Sequence, residues 1–428
     1  MVSTKNKITF NSFFAGIGGF DLALESEGFH SKFFCEKNDF CRQILTSHWP
    51  NHKYSDDITT IDLNEIPQAD VWCGGFPCQD VSVARGNKGR DGLKGKNSGL
   101  FFPFAELIKE KKPKTLLIEN VTGLLSSHNG QDFRIILETL SGMGYSVAWR
   151  VMNSRYFGAP QSRPRVFICA VLNNSNIALS SLYEKKKGSK PANQRKGFLT
   201  PYKCEESGAT VAEVSYCLAA TSGRHTGTDW SRTYVSYDAE VRRLTPLECE
   251  GLQGFPEGWT SITCPKSDKE LDLDAQRYQA LGNAVAVPVV KWIAKRLKKE
   301  LEKNKVNSLK SEDKILSNFE DFKDSSRRHM KLSELHLPTN TDDSKLKWQT
   351  GGIVIGDECW DVKAPEAPSQ PIHTKLIDVI QKDYPSDKYF ISSNAAVGII
   401  RRVVSQNRTL FGPMQKALEN LIESKNVA

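Results

Sequence analysis

The sequence predicts an α/β fold built on a largely parallel sheet with helices on both faces. Three features predict it. Short apolar stretches alternate with segments of helical spacing through residues 1 to about 170. The first stretch runs into a Gly-rich turn and then a helix. The later stretches are short and strongly apolar, as strands covered on both faces are.

Taken in order, KITFNSFF is a strand that ends in a turn containing Gly16, Gly18 and Gly19. FDLALESEGF follows with helical spacing and a stop signal at Gly28. HSKFFCE is the second strand, and NDFCRQILTSHW the second helix with Asn38 as its N-cap. VWCGGFP, KTLLIENV and RVFICAVL complete the run of buried strands. From 172 to 242 the chain turns polar, basic and rich in turns, which predicts a separate small domain of short strands. VRRLTPLECEGLQGFPEGW returns to helix, with Thr245 as cap and Pro246 in the first helical position. RYQALGNAVAVPVVKWIAKRLKKELEK reads as one long closing helix, so 243–302 is expected to rejoin the first domain. Residues 303–345 read as a charged linker, and 346–428 as a small helical accessory domain.

Composition narrows the setting. The 428 residues carry a formal net charge of +8, with 39% hydrophobic and 25% charged residues, as in a soluble globular chain with a polyanionic partner within reach. No apolar stretch is long enough to span a membrane, and the N-terminus lacks a signal-peptide core. None of the ten cysteines forms a CxxC pair or a cluster of zinc-ligand spacing, so no metal is expected and a reducing, cytoplasmic setting is.

Four motifs carry chemistry. In FFAGIGGF the glycines let a ligand approach the backbone at a helix N-terminus, and Glu36, roughly 20 residues on at the end of the next strand, suits ribose hydroxyls. A packing turn and a surface acid would read the same way. In GGFPCQDVS, Cys78 stands just past a strand, where open α/β sheets bind ligands. The loop that follows, Asp80 to Gly99, is rich in Gly, Lys and Arg, as a mobile basic lid would be. In LLIENV, Glu119 ends an apolar strand, where burial favours a carboxyl that holds a proton. In FGAPQSRPRVF, Gln161, Arg163 and Arg165 alternate, so strand periodicity puts the two arginines on one face. Phosphate or base contacts would use such a pair, and so would surface salt bridges.

These motifs, followed by RRLTPLECEGLQGFP and LGNAVAVPVV, occur in the order found in DNA cytosine-5 methyltransferases, and the chain resembles that family over residues 8 to 298. The resemblance implies a Rossmann-like methyltransferase fold that binds S-adenosylmethionine, a small irregular β-rich target recognition domain over 172–242, and a C-terminal extension. It implies transfer of a methyl group to C5 of a cytosine flipped out of double-stranded DNA, in restriction-modification or phage protection. Cys78 would add to C6, Glu119 would act at N3 and the exocyclic amine, and Arg165 at the O2 side with Arg163 and Gln161 in support. Phe14, Gly16, Gly18, Glu36, Asp57, Ile58, Pro77, Leu100 and Asn283 would line the cofactor. Gln79, Ser82 and Gln161 would touch DNA, and Arg224, His225 and Arg232 either read bases or are solvated charges. Relatives often carry an Arg near the end of the basic loop, where this chain has Lys96 and Asn97. Arg401, Arg402 and Arg408 in the extension either add DNA contacts or belong to a packing domain. A monomer is expected, with a cognate endonuclease acting separately. The alternatives are a tRNA methyltransferase of the same fold, whose Cys-Phe-Thr signature the middle region lacks, and a catalytically silent DNA-binding relative, which would ordinarily lose Cys78 or Glu119.

Overall fold

In the computed structural model the described residues are 7–77, 92–95, 98–189, 194–223, 229–262, 273–303, 315–323, 325–335 and 348–426. They gather into two units: residues 1–153, 164–190 and 289–371 form the first, and 154–163, 191–288 and 372–428 the second.

The first unit is organised by one sheet. Its strands are β1 (Thr9–Phe13), β2 (His30–Cys35), β3 (Lys53–Ser55), β4 (Val71–Gly74), β5 (Thr115–Val121), β6 (Tyr145–Asn153), β7 (Pro164–Leu172), β12 (Arg328–Lys331), β13 (Gly351–Ile355) and β14 (Glu358–Val362). Their order is β12-β14-β13-β6-β7-β5-β4-β1-β2-β3. β1 to β5 pair in parallel, as the alternation with helices predicts. The helices are α1 (Gly19–Ser26), α2 (Asp39–His48), α3 (Phe101–Lys111), α4 (Gln131–Gly142), α5 (Ser175–Leu182) and, after the second unit's segment, α9 (Val287–Lys303). Asn38 caps α2 as expected, its Oδ1 accepting the Cys41 N–H at 3.0 Å. Because the chain crosses from one side of β1 to the other, β1 and β4 flank the switch in strand order. Their carboxyl ends are where such a sheet opens to a ligand.

The parallel expectation fails at β7, which runs antiparallel to both β5 and β6. The ten residues between β6 and β7 contain no crossover helix of the kind a parallel return requires. Residues 173–190, placed in the recognition domain by sequence, belong here instead, with α5 packed on β6 and β7.

The expected division of the tail also needs correction. β12 lies inside the expected linker, and β13 and β14 form a hairpin that pairs with β6. Two glycines permit this close approach: a Cβ on Gly351 would lie 2.2 Å from the Tyr183 hydroxyl, and one on Gly352 2.3 Å from the Trp149 ring. Trp348 packs edge-on against Phe133 and Trp149 at 5.5 and 5.8 Å and donates to the Gly130 carbonyl. The fully buried Arg150 donates to the carbonyls of Leu182, Pro365 and Ala367.

The second unit holds an antiparallel sheet, β11-β10-β9-β8, made of β8 (Pro201–Lys203), β9 (Thr210–Ala212), β10 (Tyr234–Ser236) and β11 (Val241–Arg243). With it go α6 (Gln194–Gly197), α7 (Pro246–Gln253), α8 (Asp274–Asn283), α10 (Ser393–Ser405) and α11 (Gly412–Asn426). Thr245 and Glu248 form a reciprocal capping box at the start of α7, with Pro246 at the first turn. Residues 243–288 therefore lie in this unit, not in the first. The single closing helix expected from sequence is two, α8 and α9, broken at Ala284–Ala286; Pro288 stands where the second begins, as proline at a helix start does. The α10–α11 pair packs on β10 and β11 through Tyr234, Val241, Ile399, Val403, Met414 and Leu418. The tail is thus shared between the units, and a self-contained helical accessory domain over 346–428 is not what forms.

Among the described residues, no helix is long and apolar enough to cross a membrane.

One buried acid sets a pH dependence. Asp21, in the first turn of α1, is fully buried and accepts a hydrogen bond from the Ser12 hydroxyl at 2.9 Å. Burial pushes its carboxyl up from 3.8 to about 8. The fold therefore favours the protonated form. That contribution is whole below pH 4 and is lost as pH rises through 8, at up to about 1.4 kcal/mol per pH unit. Melting temperature should fall between pH 5 and pH 8, and Asp21→Asn should flatten the decline; an equally steep decline in the variant contradicts the assignment.

Candidate active site

The site is built where β1, β4 and β5 end. Beyond β1, Phe14, Gly16 and Gly18 all take positive φ (52°, 81° for Gly18, and 57° for Gly16), so the turn is left-handed three times in five residues. A Cβ on Gly16 would meet nothing within 4 Å, so open space faces the backbone there. Gly18 is glycine for packing, since its Cβ would strike the Trp49 ring at 2.6 Å. Glu36, just past β2, accepts the Gly16 and Asn38 N–H groups, both at 2.7 Å, one on each carboxylate oxygen. Each oxygen keeps a lone pair for a hydroxyl donor. Asp57 pairs with Lys37 at 2.6 Å, and that contact, with the Thr59 N–H and hydroxyl, holds its carboxyl down at about 2. Ile58 beside it is buried. Phe14 stands edge-on to Phe104 of α3, and Leu100 precedes the first turn of that helix.

Beyond β4 the chain passes over β5. A Cβ on Gly74 would fall 2.1 Å from the Phe13 carbonyl oxygen. One on Gly75 would fall 2.9 Å from the Glu119 carbonyl oxygen and 3.3 Å from its Oε2. The Asn120 amide donates to the Phe76 carbonyl at 3.1 Å, and the Ser98 hydroxyl to the Pro77 carbonyl at 3.0 Å. The two peptide groups before Cys78 are therefore each held by a side chain. Cys78, Gln79, Ser82, Lys96, Asn97, Arg224 and His225 lie outside the described residues.

Glu119 on β5 and Arg165 on β7 sit on neighbouring strands and form an ion pair, Nε to Oε1 at 3.1 Å, with side chains only 13% and 16% exposed. The guanidinium and the Gly75 backbone confine the carboxylate from two sides. Gly75→Ala should displace it and lower turnover by about 10²-fold, with some fall in melting temperature because the new Cβ also crowds the Glu119 carbonyl oxygen at 2.9 Å. Methyl-transfer assays with the variant check this, and wild-type turnover would refute it.

Arg163 and Gln161 do not join this pair. Strand periodicity placed Arg163 and Arg165 on one face, but β7 begins only at Pro164. Arg163 is 3% exposed, and its guanidinium donates to the carbonyls of Leu218, Gly282 and Ala284 in the second unit. Gln161 is fully buried; its amide donates to the Leu252 carbonyl and Gln253 Oε1 and accepts the Leu218 N–H. Both are internal clamps, so the expected DNA contact of Gln161 and catalytic contact of Arg163 give way to a structural one. Asn283 is exposed at the end of α8, between the two carbonyls Arg163 holds. Arg232 is half-buried and donates to the Thr221 and Ser222 carbonyls and the Thr221 hydroxyl, which makes it the tie of a turn rather than a solvated charge.

Sequence reasoning missed Gly75, Ser98 and the role of Asn120. The doubled glycine before FPC was the available signal for the first; nothing local marks Ser98.

Burial keeps most of the other thiols inert. It pushes Cys35 and Cys169 up to about 12, and raises Cys41, Cys73, Cys249 and Cys359 as well. Among the described residues no cluster of His, Cys, Asp or Glu could hold a metal ion.

Comparison with known proteins agrees with this geometry. The chain matches the sequence profile of the C-5 cytosine-specific DNA methylases over residues 8–217 and 202–299. It is 33% identical over 318 residues to the Type II methyltransferase M2.BsuMI of Bacillus subtilis (strain 168), covering 67% of this chain and 74% of the relative. It is 33% identical over 301 residues to the Type II methyltransferase M.NgoBI of Neisseria gonorrhoeae, covering 65% and 89%. In fold it is similar to the Entamoeba histolytica methyltransferase EhMeth, with TM-score 0.50 and 20% identity over 69% of this chain and 99% of that one. An ordered set of motifs, a sheet opening between β1 and β4, and a matching profile over most of the chain lead to one conclusion: this protein belongs to the C-5 cytosine-specific DNA methylase family.

Proposed function

We propose that this chain methylates C5 of a cytosine within a short sequence of double-stranded DNA, as the modification enzyme of a restriction-modification pair, with Cys78 as nucleophile and Glu119 and Arg165 as the groups that hold the base. The observation that carries the assignment of residues is the confined Glu119–Arg165 pair beside the glycine turn that leads to Cys78.

The residues beyond β1 and β2 fit S-adenosylmethionine: open space at Gly16, a Glu36 carboxylate with free lone pairs, and the Asp57–Ile58 edge. When bound, that cofactor supplies a methyl group made electrophilic by its sulfonium. C5 of cytosine is too poor a nucleophile to take it unaided. In the proposed sequence the Cys78 thiolate adds to C6, and Glu119 holds a proton at N3, so electron density moves to C5. Arg165 orients Glu119 and faces the O2 side of the ring. Once C5 has taken the methyl group, a base removes the C5 proton and the C6–sulfur bond breaks, which restores the aromatic ring and the thiolate. The base must leave the duplex stack for Cys78 to reach C6. The reading places the protein in the cytoplasm as a monomer, with an endonuclease of the same specificity acting separately; that the relatives are Type II methyltransferases supports the restriction-modification part of it.

Bisulfite sequencing of plasmid from cells expressing the wild-type chain should find cytosines protected in one short recurring sequence, and none with Cys78→Ala. Labelled methyl groups on RNA with unprotected plasmid would contradict the reading.

A further inference from the structure

The family match ends at residue 299, yet the second unit is completed by α10 and α11 from the far end of the chain. We propose that the exposed face of α10, with the turn after it, binds the phosphodiester backbone of duplex DNA beside the recognised sequence, so that the C-terminal segment is part of the DNA-binding surface. This rests on the reading that duplex DNA is the substrate.

Charge is the first support. From Lys388 to Leu418 the sequence contains Lys388, Arg401, Arg402, Arg408 and Lys416 and no Asp or Glu. Such a segment repels cations and attracts a polyanion. Two of these cations are spent internally: Arg402 pairs with the buried Asp229 at 3.0 Å and Lys388 with Asp274 at 2.7 Å. Arg401 and Arg408 remain exposed, and among the described residues neither forms an ion pair with a carboxylate.

Placement is the second support. Ala396, Ile399 and Val403 bury the inner side of α10. Val397, Arg401 and Val404 follow at i, i+4 and i+7, the spacing of one helix face, with Val397 and Val404 48% and 69% exposed, and Arg408 stands in the turn just past the end of the helix. Valines between two arginines leave no carboxylate to compete for phosphate, and they can lie against sugar faces. The same end of α10 is fixed to the recognition region. Trp230 donates from Nε1 to Gln406 Oε1 at 2.9 Å, Arg408 lies 4.4 Å over the Trp230 ring, and Tyr234 donates to Asp229 at 2.8 Å. Among the described residues, Asp229, Trp230 and Tyr234 of the region expected to read bases thus pack against this end of α10. DNA read by that segment would run past α10. A protein partner or a second copy of the chain would not account for a face with arginines and no acids as directly.

The test uses the full-length protein with two variants, Arg401→Gln/Arg408→Gln and Val404→Glu, and fluorescence anisotropy on a 30-base-pair duplex of unrelated sequence across a salt series. Each phosphate contact contributes about 0.9 to the slope of log affinity against log salt, so the double variant should lose ~1.8. The loss should be equal on unrelated DNA and on the sequence protected in bisulfite reads, because phosphate contacts carry no base information. Val404→Glu alters an exposed position without touching Trp230, and should weaken binding as well. Turnover at saturating DNA and S-adenosylmethionine affinity should stay at wild-type values. Folded variants with wild-type affinity and salt slope overturn the proposal, as does a loss confined to the protected sequence, or a change only in sedimentation behaviour. Methylation of plasmid by the wild type in the same preparations keeps such a failure separate from a failure of the functional assignment.

Discussion

Glu119→Gln is expected to lower methyl transfer by about 10²–10⁴-fold, the ordinary contribution of a positioned proton donor. Glutamine keeps the shape and can still donate a hydrogen bond, but it cannot hold and release a proton at N3. The pair with Arg165 also loses its charge. Because the cofactor turn is built from β1 and β2 and the Glu119 carboxylate from β5, S-adenosylmethionine affinity by calorimetry should not change. Arg165→Lys tests the other half of the pair. An ammonium carries the charge without the planar fork, so turnover should fall while the melting temperature holds. Full activity in both variants would remove the pair from the chemistry.

Truncation after residue 345 is expected to abolish folding rather than merely trim an accessory piece. It removes β13 and β14, leaves the β6 edge unpaired, and strips Arg150 of the Pro365 and Ala367 carbonyls. It also removes Trp348 from the Phe133–Trp149 cluster. Trp348→Ala alone should cost about 3–5 kcal/mol, as large-to-small changes at buried aromatics do. Against a usual total of about 5–15 kcal/mol, that one change is large and the truncation is decisive. Denaturant unfolding measures the first, and soluble yield with circular dichroism the second. A folded, active truncation would mean the hairpin is dispensable.

What the sequence made legible was local. The strand-to-turn change at Gly16 and Gly18, the Asn38 cap and the Thr245–Glu248 capping box each depend on residues within four positions of one another. Glu119 was legible because an acid at the end of LLIENV breaks an apolar run. What stayed hidden depends on partners far along the chain. Period-two spacing sets the side of a strand but not where the strand begins, so Arg163 was grouped with Arg165 although its carbonyl partners lie 55, 119 and 121 residues away. The allocation of 351–362 to the main sheet is likewise a matter of pairing with β6, two hundred residues earlier, and no local pattern encodes it.

The central claim is a covalent bond between Cys78 and C6 of the target base, and it can be caught directly. In DNA carrying 5-fluorocytosine in place of cytosine, the thiolate can still add and C5 can still accept the methyl group. The fluorine cannot leave as the C5 proton does, so the adduct has no way to eliminate. With S-adenosylmethionine present, the wild-type chain should form a complex with such DNA that survives boiling in detergent, and peptide mapping should place the modification on Cys78. Cys78→Ala should form none. A wild-type enzyme that methylates ordinary DNA yet leaves no denaturation-resistant complex on the fluorinated duplex, or a complex that persists in Cys78→Ala, would contradict the account.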